Sequence, residues 1–262
     1  MLLEEFDSEK NAILNPTTLK KKIKNMPKTC VSFFSKSIMK EIVQTLKPEI
    51  IANVSNATAI FPVYKITVQG REIAIFQSAM GASACVSNLE DLFALGVENL
   101  LLVGCCGCLE KDIEEYAIIL PTAALRDEGT SYHYAPPSDE TFLDNKTISV
   151  IEKILNHHNI SYRKGKTWTT DAIYRETKTK LEKRKKQGAI VVDMECSAVN
   201  ALCQFRNKKF AQIFYGSDNL GGEEYDPRSL ISGTETFDEK KKIIPLAFEC
   251  AVEIDKEFQT RS

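Results

Sequence analysis

The segment LLLVGCCGCLE places three cysteines and two glycines directly after an apolar run. A structural zinc site needs four tetrahedral ligands, but Cys105 and Cys106 are adjacent and no second Cys or His pair stands at the usual spacing, so we expect no metal site. A redox pair of Cys105 with Cys108 and a turn with packed thiols both stay open. We favour a tight turn in which Gly104 and Gly107 let backbone N–H groups cradle an anion.

Two acidic residues also lie at the ends of predicted strands. Glu195 follows Met194 where a strand pattern becomes a helix pattern, and Asp218 lies in YGSDNL at the end of another strand. Each alone is also typical of a helix start or a turn. Ligands of open α/β sheets bind beyond the carboxyl ends of the strands, so we expect the segments that end strands to share one crevice. These predicted turns are Met80–Ser83, Gly104–Cys108, Met194–Glu195 and Gly216–Asp218.

Apolar stretches that alternate with helical patterns predict the elements that position these residues. The pattern indicates an α/β fold, a single three-layer domain with a mixed, mostly parallel central sheet flanked by helices. Strands are predicted at 29–34, 72–81, 99–104, 116–125, 188–194 and 209–220. Helices are predicted at 84–96, 149–159, 195–205 and 237–258. We expect the last helix to bend or break at Pro245.

Composition limits the possible partners. A net charge of −2 gives no reason to expect nucleic acid, and no apolar run has the roughly 18 residues of a membrane span. The N-terminus MLLEEFDSEK lacks the basic and apolar regions of a signal peptide, and eight cysteines without an export signal predict free thiols in the cytoplasm. We find no repeat or linker and predict one domain over residues 1–262.

Four motifs together resemble one known family. VVDMECSAV followed by YGSDNL resembles the purine and uridine phosphorylase branch of the nucleoside phosphorylases. The block SAMGASACVSNLEDLFALGVENLLLVGCCGCL is similar to that branch's Met-Gly-x-x-Ser helix and glycine turn. TAALRDEGTSYHYAPPS resembles a loop of the uridine-phosphorylase-like members, and TTDAIYRET resembles the segment that places an aromatic over the base. The resemblance covers residues 60–250, and residues 1–60 diverge.

The resemblance implies cleavage of a nucleoside by phosphate into a free base and ribose 1-phosphate. It places Glu195 on the ribose hydroxyls and gives Asp218 the role of general acid toward N7 of a purine. The residues that it places against the sugar and base are Met80, Met194, Ile173 and Tyr174. It implies phosphate as co-substrate with no further cofactor, and a homo-oligomer (dimer, trimer or hexamer) whose sites are completed between subunits.

The chain departs from the family at the phosphate. Leu102 stands where many members have an arginine, and the N-terminal Gly-Asp-Pro-x-x-Arg loop is absent. We expect the phosphate to be bound by the residues Gly81, Ser83, Cys105, Gly107 and Arg126.

Three other activities remain open at this point. Water in place of phosphate would make the protein a nucleosidase, and the RDEGTSYHY loop leaves a uridine-phosphorylase-like activity possible. We favour purines because Asp218 is present and no glutamine occurs between Thr169 and Lys186. A binding protein without catalysis would not need Asp218, so we favour it least.

Overall fold

The computed structural model describes residues 2–228 and 237–259. Ten strands form one mixed sheet in the order β10-β6-β8-β9-β5-β1-β4-β3-β2, with β7 paired to β6. The strands are β1 Thr29–Phe33, β2 Glu49–Ser55, β3 Ile60–Val68, β4 Arg71–Gln77, β5 Asn99–Cys108, β6 Ile118–Asp127, β7 Glu140–Phe142, β8 Tyr162–Thr170, β9 Ala189–Asp193 and β10 Lys209–Asn219.

Helices flank this sheet, as the alternating pattern predicts. In the described parts of the chain they are α1 Pro16–Leu19, α2 Lys36–Leu46, α3 Ala82–Leu95, α4 Asn145–His157, α5 Lys178–Lys186, α6 Cys196–Phe205, α7 Phe237–Lys240 and α8 Ile243–Phe258. Helix α3 contacts α6, and α4 contacts α8. Among residues 2–228 and 237–259, no helix has the length and apolar character needed to cross a membrane.

The sheet is less open than the sequence predicts. Strand β10 pairs in parallel with β5 and antiparallel with β6, so β10, β6, β8, β9 and β5 close into a ring. Strands β1, β4, β3 and β2 extend in this order from β5 as an open sheet. Parallel pairings join β5 to β1 and β1 to β4, while the β4–β3 and β3–β2 pairings are antiparallel. The sheet is therefore mixed, with antiparallel pairs as numerous as parallel ones in the described chain.

The segment CCGC belongs to strand β5, which corrects the prediction of a turn. Strand β5 pairs with β1 through residues 99–103 and with β9 at residues 107 and 108. Neither glycine has a positive φ. A Cβ on Gly104 would lie 2.7 Å from Phe34, and one on Gly107 would lie 2.8 Å from Leu220 and 2.9 Å from Val192. The absence of a side chain at these two glycines therefore leaves room for the neighbouring side chains where β5 passes from the open sheet into the ring.

Residues 216–218 are likewise strand and not turn. Strand β10 continues to Asn219, with an irregular register between Gly216 and Asn219. The two other predicted turns are real, because α3 follows Gly81 and α6 follows Glu195 directly.

The break in the terminal helix lies before Pro245 and not at it. Helix α7 ends at Lys240 and α8 begins at Ile243. Pro245 then falls in the first turn of α8, where a missing backbone N–H removes no helical hydrogen bond. The proline that predicts an interruption therefore sits inside an intact helix.

Candidate functional site

The junction between β9 and α6 is held by a buried carboxylate, Asp193. Its Oδ2 accepts hydrogen bonds from the backbone N–H groups of Glu195 at 2.8 Å and Cys196 at 2.6 Å. Its Oδ1 accepts from the hydroxyls of Thr167 and Thr169, both at 2.8 Å. Burial raises the pKa of Asp193, against the effect of these four hydrogen bonds. This network fixes the backbone that carries Glu195; its signal in the sequence is an aspartate ending a strand before Met-Glu.

Glu195 joins two chain segments at the bottom of the crevice. Its side chain is buried, and Oε1 accepts a hydrogen bond of 2.6 Å from the backbone N–H of Gly81. Gly81 has a φ of 93°, which favours glycine, and it precedes α3. Burial, followed by the nearby Asp193, raises the pKa of Glu195 to about 8. In the free protein, burial therefore favours the neutral form of this carboxyl group.

Asp218 lies near the end of β10 beside two more ionisable groups. Ser217 Oγ is 2.8 Å from Asp218 Oδ1. Burial raises the pKa of Glu176 to about 7, and the Asp218 carboxylate contributes in the same direction. Burial and Asp218 also raise the pKa of Tyr225. Asp218 and Glu176 thus form an acidic pair, and Glu176 is a group that the sequence analysis missed.

The thiol of Cys105 is influenced by the acidic groups of the crevice. It is the one exposed cysteine among the eight, all of which are free thiols. Desolvation raises the pKa of Cys105; Lys240 lowers it, and the carboxylates of Asp218 and Glu195 raise it further. The thiol therefore lies within electrostatic reach of all three groups. Cys105 reaches this place from a strand and not from a turn, and the roles of Glu195, Asp218 and Cys105 stay predictions.

The residues expected against the sugar and base lie at the rim. Met80 is 75% exposed and Tyr174 is 96% exposed, so neither is enclosed by the chain itself. Ile173 is half exposed in the same short helical turn as Tyr174, and Met194 is half-buried beside Glu195. The single chain therefore leaves Met80, Ile173 and Tyr174 largely uncovered.

The anion cradle expected from the glycines is not formed in the predicted way. The N–H of Gly81 is already donated to Glu195, and Gly107 lies in the β5–β9 ladder. Ser83 is exposed in the first turn of α3, where helical N–H groups lack intrahelical partners. Among the residues of these segments that were predicted to bind phosphate, Ser83 and Cys105 have exposed side chains that remain available to an anion.

Arg126 has a structural task that differs from the predicted phosphate contact. Its buried guanidinium donates from Nε to Ser131 Oγ at 2.8 Å and from Nη1 to the Pro136 carbonyl and Ser138 Oγ, both at 2.7 Å. It also stacks on the Tyr132 ring at 4.1 Å. These contacts hold the loop that follows β6, because a forked donor satisfies several acceptors at once.

We expect Arg126→Ala to lower the free energy of unfolding by about 2–4 kcal/mol, because buried acceptors lose their donor. Urea denaturation measures this change. Arg163→Ala is the matched control: Arg163 is partly exposed, and its pairs with Glu110 and Asp112 predict a smaller loss. Unchanged stability with a raised KM for phosphate would return Arg126 to the phosphate site.

Apolar side chains occupy the place where the family resemblance implies a cation. Leu102 is fully buried in β5, and Phe34 packs over Gly104 after the end of β1. No group of three or more His, Cys, Asp or Glu side chains within residues 2–228 and 237–259 is arranged to hold a metal ion. Any positive charge for an anion must therefore come from elsewhere in the crevice.

Curated proteins of known name are similar to the chain over more than half of its length. The chain is 24% identical over 160 residues to the guanosine phosphorylase of Halorubrum lacusprofundi. This alignment covers 60% of this chain and 66% of that protein. It is 29% identical over 166 residues to a DeoD-type purine nucleoside phosphorylase of Bacillus velezensis, covering 60% and 69%.

Two solved structures show the same fold at 17% identity. One is the purine nucleoside phosphorylase of Toxoplasma gondii in complex with immucillin-H, with a TM-score of 0.74 over 89% of this chain and 94% of that chain. The other is the uridine phosphorylase of Vibrio fischeri, with a TM-score of 0.73 over 90% and 99%. The phosphorylase superfamily model matches residues 35–254, beginning inside the segment described above as divergent. The match spans most of the sequence, and the chain therefore belongs to the phosphorylase superfamily.

Proposed function

We propose that the protein cleaves the N-glycosidic bond of purine nucleosides with inorganic phosphate, releasing the base and ribose 1-phosphate. The observation that carries this proposal is that the carboxylates of Glu195 and Asp218 both act on the Cys105 thiol, near the carboxyl ends of β9, β10 and β5. The reaction needs no organic cofactor or metal, because proton transfer and charge stabilisation are available from side chains.

Glu195 acts on the sugar in this proposal. As the bond from C1′ to the base lengthens, positive charge develops on the ribose ring. Hydrogen bonds from ribose hydroxyls to a carboxylate strengthen during this change. Asp193 and Gly81 hold Glu195 in one orientation, so little reorganisation is required when the charge appears.

Asp218 acts on the departing base. A phosphate oxygen forms a bond to C1′ while the electron pair of the C1′–N9 bond moves into the purine. A proton delivered through Asp218 to N7 lets the base leave as a neutral molecule. Ser217 orients the carboxyl group. Uracil has no equivalent of N7, which is why this group favours purines.

Hydrolysis is the second candidate, and the phosphate side of the crevice favours it. Leu102 is buried and Arg126 is bound to its own loop, so neither supplies a charge for phosphate. With water as the nucleophile, the same Glu195 and Asp218 would serve and the product would be free ribose. Glu195 and Asp218 therefore do not distinguish between the two nucleophiles.

A nucleoside panel separates these activities. The protein is incubated with adenosine, guanosine, inosine and uridine, with and without phosphate, and the products are resolved by chromatography. We expect purine release that depends on phosphate and yields ribose 1-phosphate. Equal rates of free ribose formation without phosphate would establish hydrolysis instead, and cleavage of uridine alone would contradict the role of Asp218.

We infer that the protein assembles as a homo-oligomer in which a second copy covers the open rim. The support is the exposure of Met80, Ile173 and Tyr174 beside an otherwise buried floor. Light scattering after size exclusion is expected to give a multiple of 29.4 kDa, and a single-chain mass at assay concentration would contradict this.

The free thiols favour a reducing compartment, consistent with the cytoplasm.

A further inference from the structure

A phosphate dianion needs a positive charge beside the crevice floor. Backbone N–H groups carry partial charges only, and they leave a bound dianion without a counter-charge. Arginine is the usual residue for such a site, yet Leu102 and Arg126 do not provide one. Among the described residues, Lys240 is a cation that acts on Cys105.

Lys240, at the end of α7, stands apart from its two neighbours. Lys241 forms an ion pair with Asp238, and Lys242 forms one with Glu239, at 2.6 Å in both cases. Lys240 is half-buried and has no ion pair within the described ranges 2–228 and 237–259. Of the three consecutive lysines, it alone keeps its charge uncompensated by a carboxylate.

The ammonium group of Lys240 lies over the ring of Tyr215 on strand β10. Its Nζ lies 5.7 Å from the centre of the Tyr215 ring, within the range of a cation–π interaction. Tyr215 on β10 is the register partner of Cys105 on β5, so the two side chains are neighbours across the strands. The tyrosine ring therefore supports an ammonium group next to the exposed thiol.

The charges around Cys105 agree with this placement. Lys240 lowers the pKa of Cys105, whereas Asp218 and Glu195 act against it, with desolvation as the largest influence. The Lys240 ammonium group therefore acts on the same thiol as the Asp218 and Glu195 carboxylates.

We propose that Lys240 is the cationic ligand of the phosphate co-substrate, reaching across Tyr215 to the space beside Cys105. This inference rests on the proposed phosphorolysis. Lys240 neutralises one charge of the dianion and donates hydrogen bonds to its oxygens, while Ser83 and the first turn of α3 offer neutral donors. An ammonium group binds phosphate as a point charge, without the forked geometry of arginine.

Steady-state kinetics of Lys240→Met and Lys242→Met test the proposal. Loss of a charged hydrogen bond to phosphate is expected to raise the KM for phosphate roughly 10- to 100-fold in Lys240→Met, with a much smaller change in kcat at saturating phosphate. Lys240→Arg is expected to recover part of the affinity. Lys242→Met, which removes a charge already paired with Glu239, is the matched control and is expected to keep the wild-type KM.

Labelling of Cys105 gives a readout that does not depend on turnover. Inorganic phosphate is expected to slow modification of this one exposed thiol by a maleimide in the wild type and in Lys242→Met, but not in Lys240→Met. The variant Cys105→Ser identifies the labelled site.

The two hypotheses fail in different ways. Free ribose formed without phosphate by the wild type contradicts phosphorolysis itself. Phosphate-dependent cleavage with an unchanged KM and unchanged protection in Lys240→Met leaves phosphorolysis intact and overturns the role of Lys240.

Discussion

Asp218→Asn is expected to reduce turnover of purine nucleosides by roughly 10²- to 10⁴-fold, the usual contribution of a general acid. The amide is nearly the same size as the carboxyl group and keeps an oxygen near Ser217 Oγ, so the fold is retained. It cannot deliver a proton to N7, and the base would have to leave as an anion. Initial rates with inosine or guanosine at saturating phosphate measure the loss.

A nucleoside methylated at N7 tests the chemical reason for that loss. Its base already carries a positive charge and leaves without a proton, so Asp218→Asn is expected to cleave 7-methylguanosine at nearly the wild-type rate. Asp91→Asn is the control, because Asp91 is a half-buried carboxylate on α3 that pairs with Lys20, and this variant is expected to behave as the wild type on both substrates. Equal losses on guanosine and 7-methylguanosine would show that Asp218 positions the substrate and transfers no proton.

Glu195→Gln is expected to lower kcat/KM by about 10²- to 10³-fold, because the ribose loses a charged acceptor that strengthens in the transition state. The Gly81 N–H can still donate to the glutamine oxygen, so the junction of β4 and α3 is preserved. Kinetics with a purine nucleoside at pH 8 to 9 measure this effect, since the wild-type carboxyl group ionises there.

The same substitution is expected to stabilise the fold at high pH. Burial raises the pKa of Glu195 from 4.5 in the unfolded chain to about 8 in the folded one. Between these values the folded state binds more protons, so the stability contributed by the neutral carboxyl group is complete below pH 4.5 and is lost as pH rises through 8. Glutamine stays neutral, and Glu195→Gln should exceed the wild type at pH 9 by about 2–5 kcal/mol of unfolding free energy.

Urea denaturation at pH 5 and pH 9 compares the two proteins. Glu176 and Asp193 also have raised pKa values, but both proteins retain them, and the difference between the two curves therefore isolates Glu195. A variant that loses both activity and stability at pH 9 would show that the ionised Glu195 is structurally required. A parallel pH dependence in both proteins would mean that Glu195 does not titrate in this range.

Local sequence patterns determined the elements on either side of the site. The stripe of apolar residues with Gly96 at its end predicts helix α3, which ends at Leu95 with Gly96 as its cap. The apolar run before the cysteines predicts β5, and the run ending in Asp193 predicts β9 followed directly by α6. These signals are local because periodicity and capping act within a few residues. They were sufficient to place Glu195 and Asp218 at one end of the sheet.

Strands β2, β3 and β8 escaped the sequence analysis because polar and charged residues interrupt their apolar pattern, as in Tyr162–Thr170. Their strand structure depends on neighbours: β8 lies between β6 and β9, which supply its hydrogen bonds in parallel. Such pairing joins residues far apart in the chain, and a local pattern does not report it.

Only the tertiary structure decided where the glycines, Arg126 and Lys240 lie and which groups surround them. Gly104 and Gly107 have the composition of a turn, but pairing of β5 with β1, β9 and β10 makes them strand residues. Arg126 finds its acceptors in its own loop, and Lys240 acts electrostatically on Cys105 across more than half of the chain. The sequence alone determined the family and the two acidic residues, because short motifs carry them. The sequence alone did not identify the source of positive charge for the anion, because a charge acts through space on any group that folding brings near it.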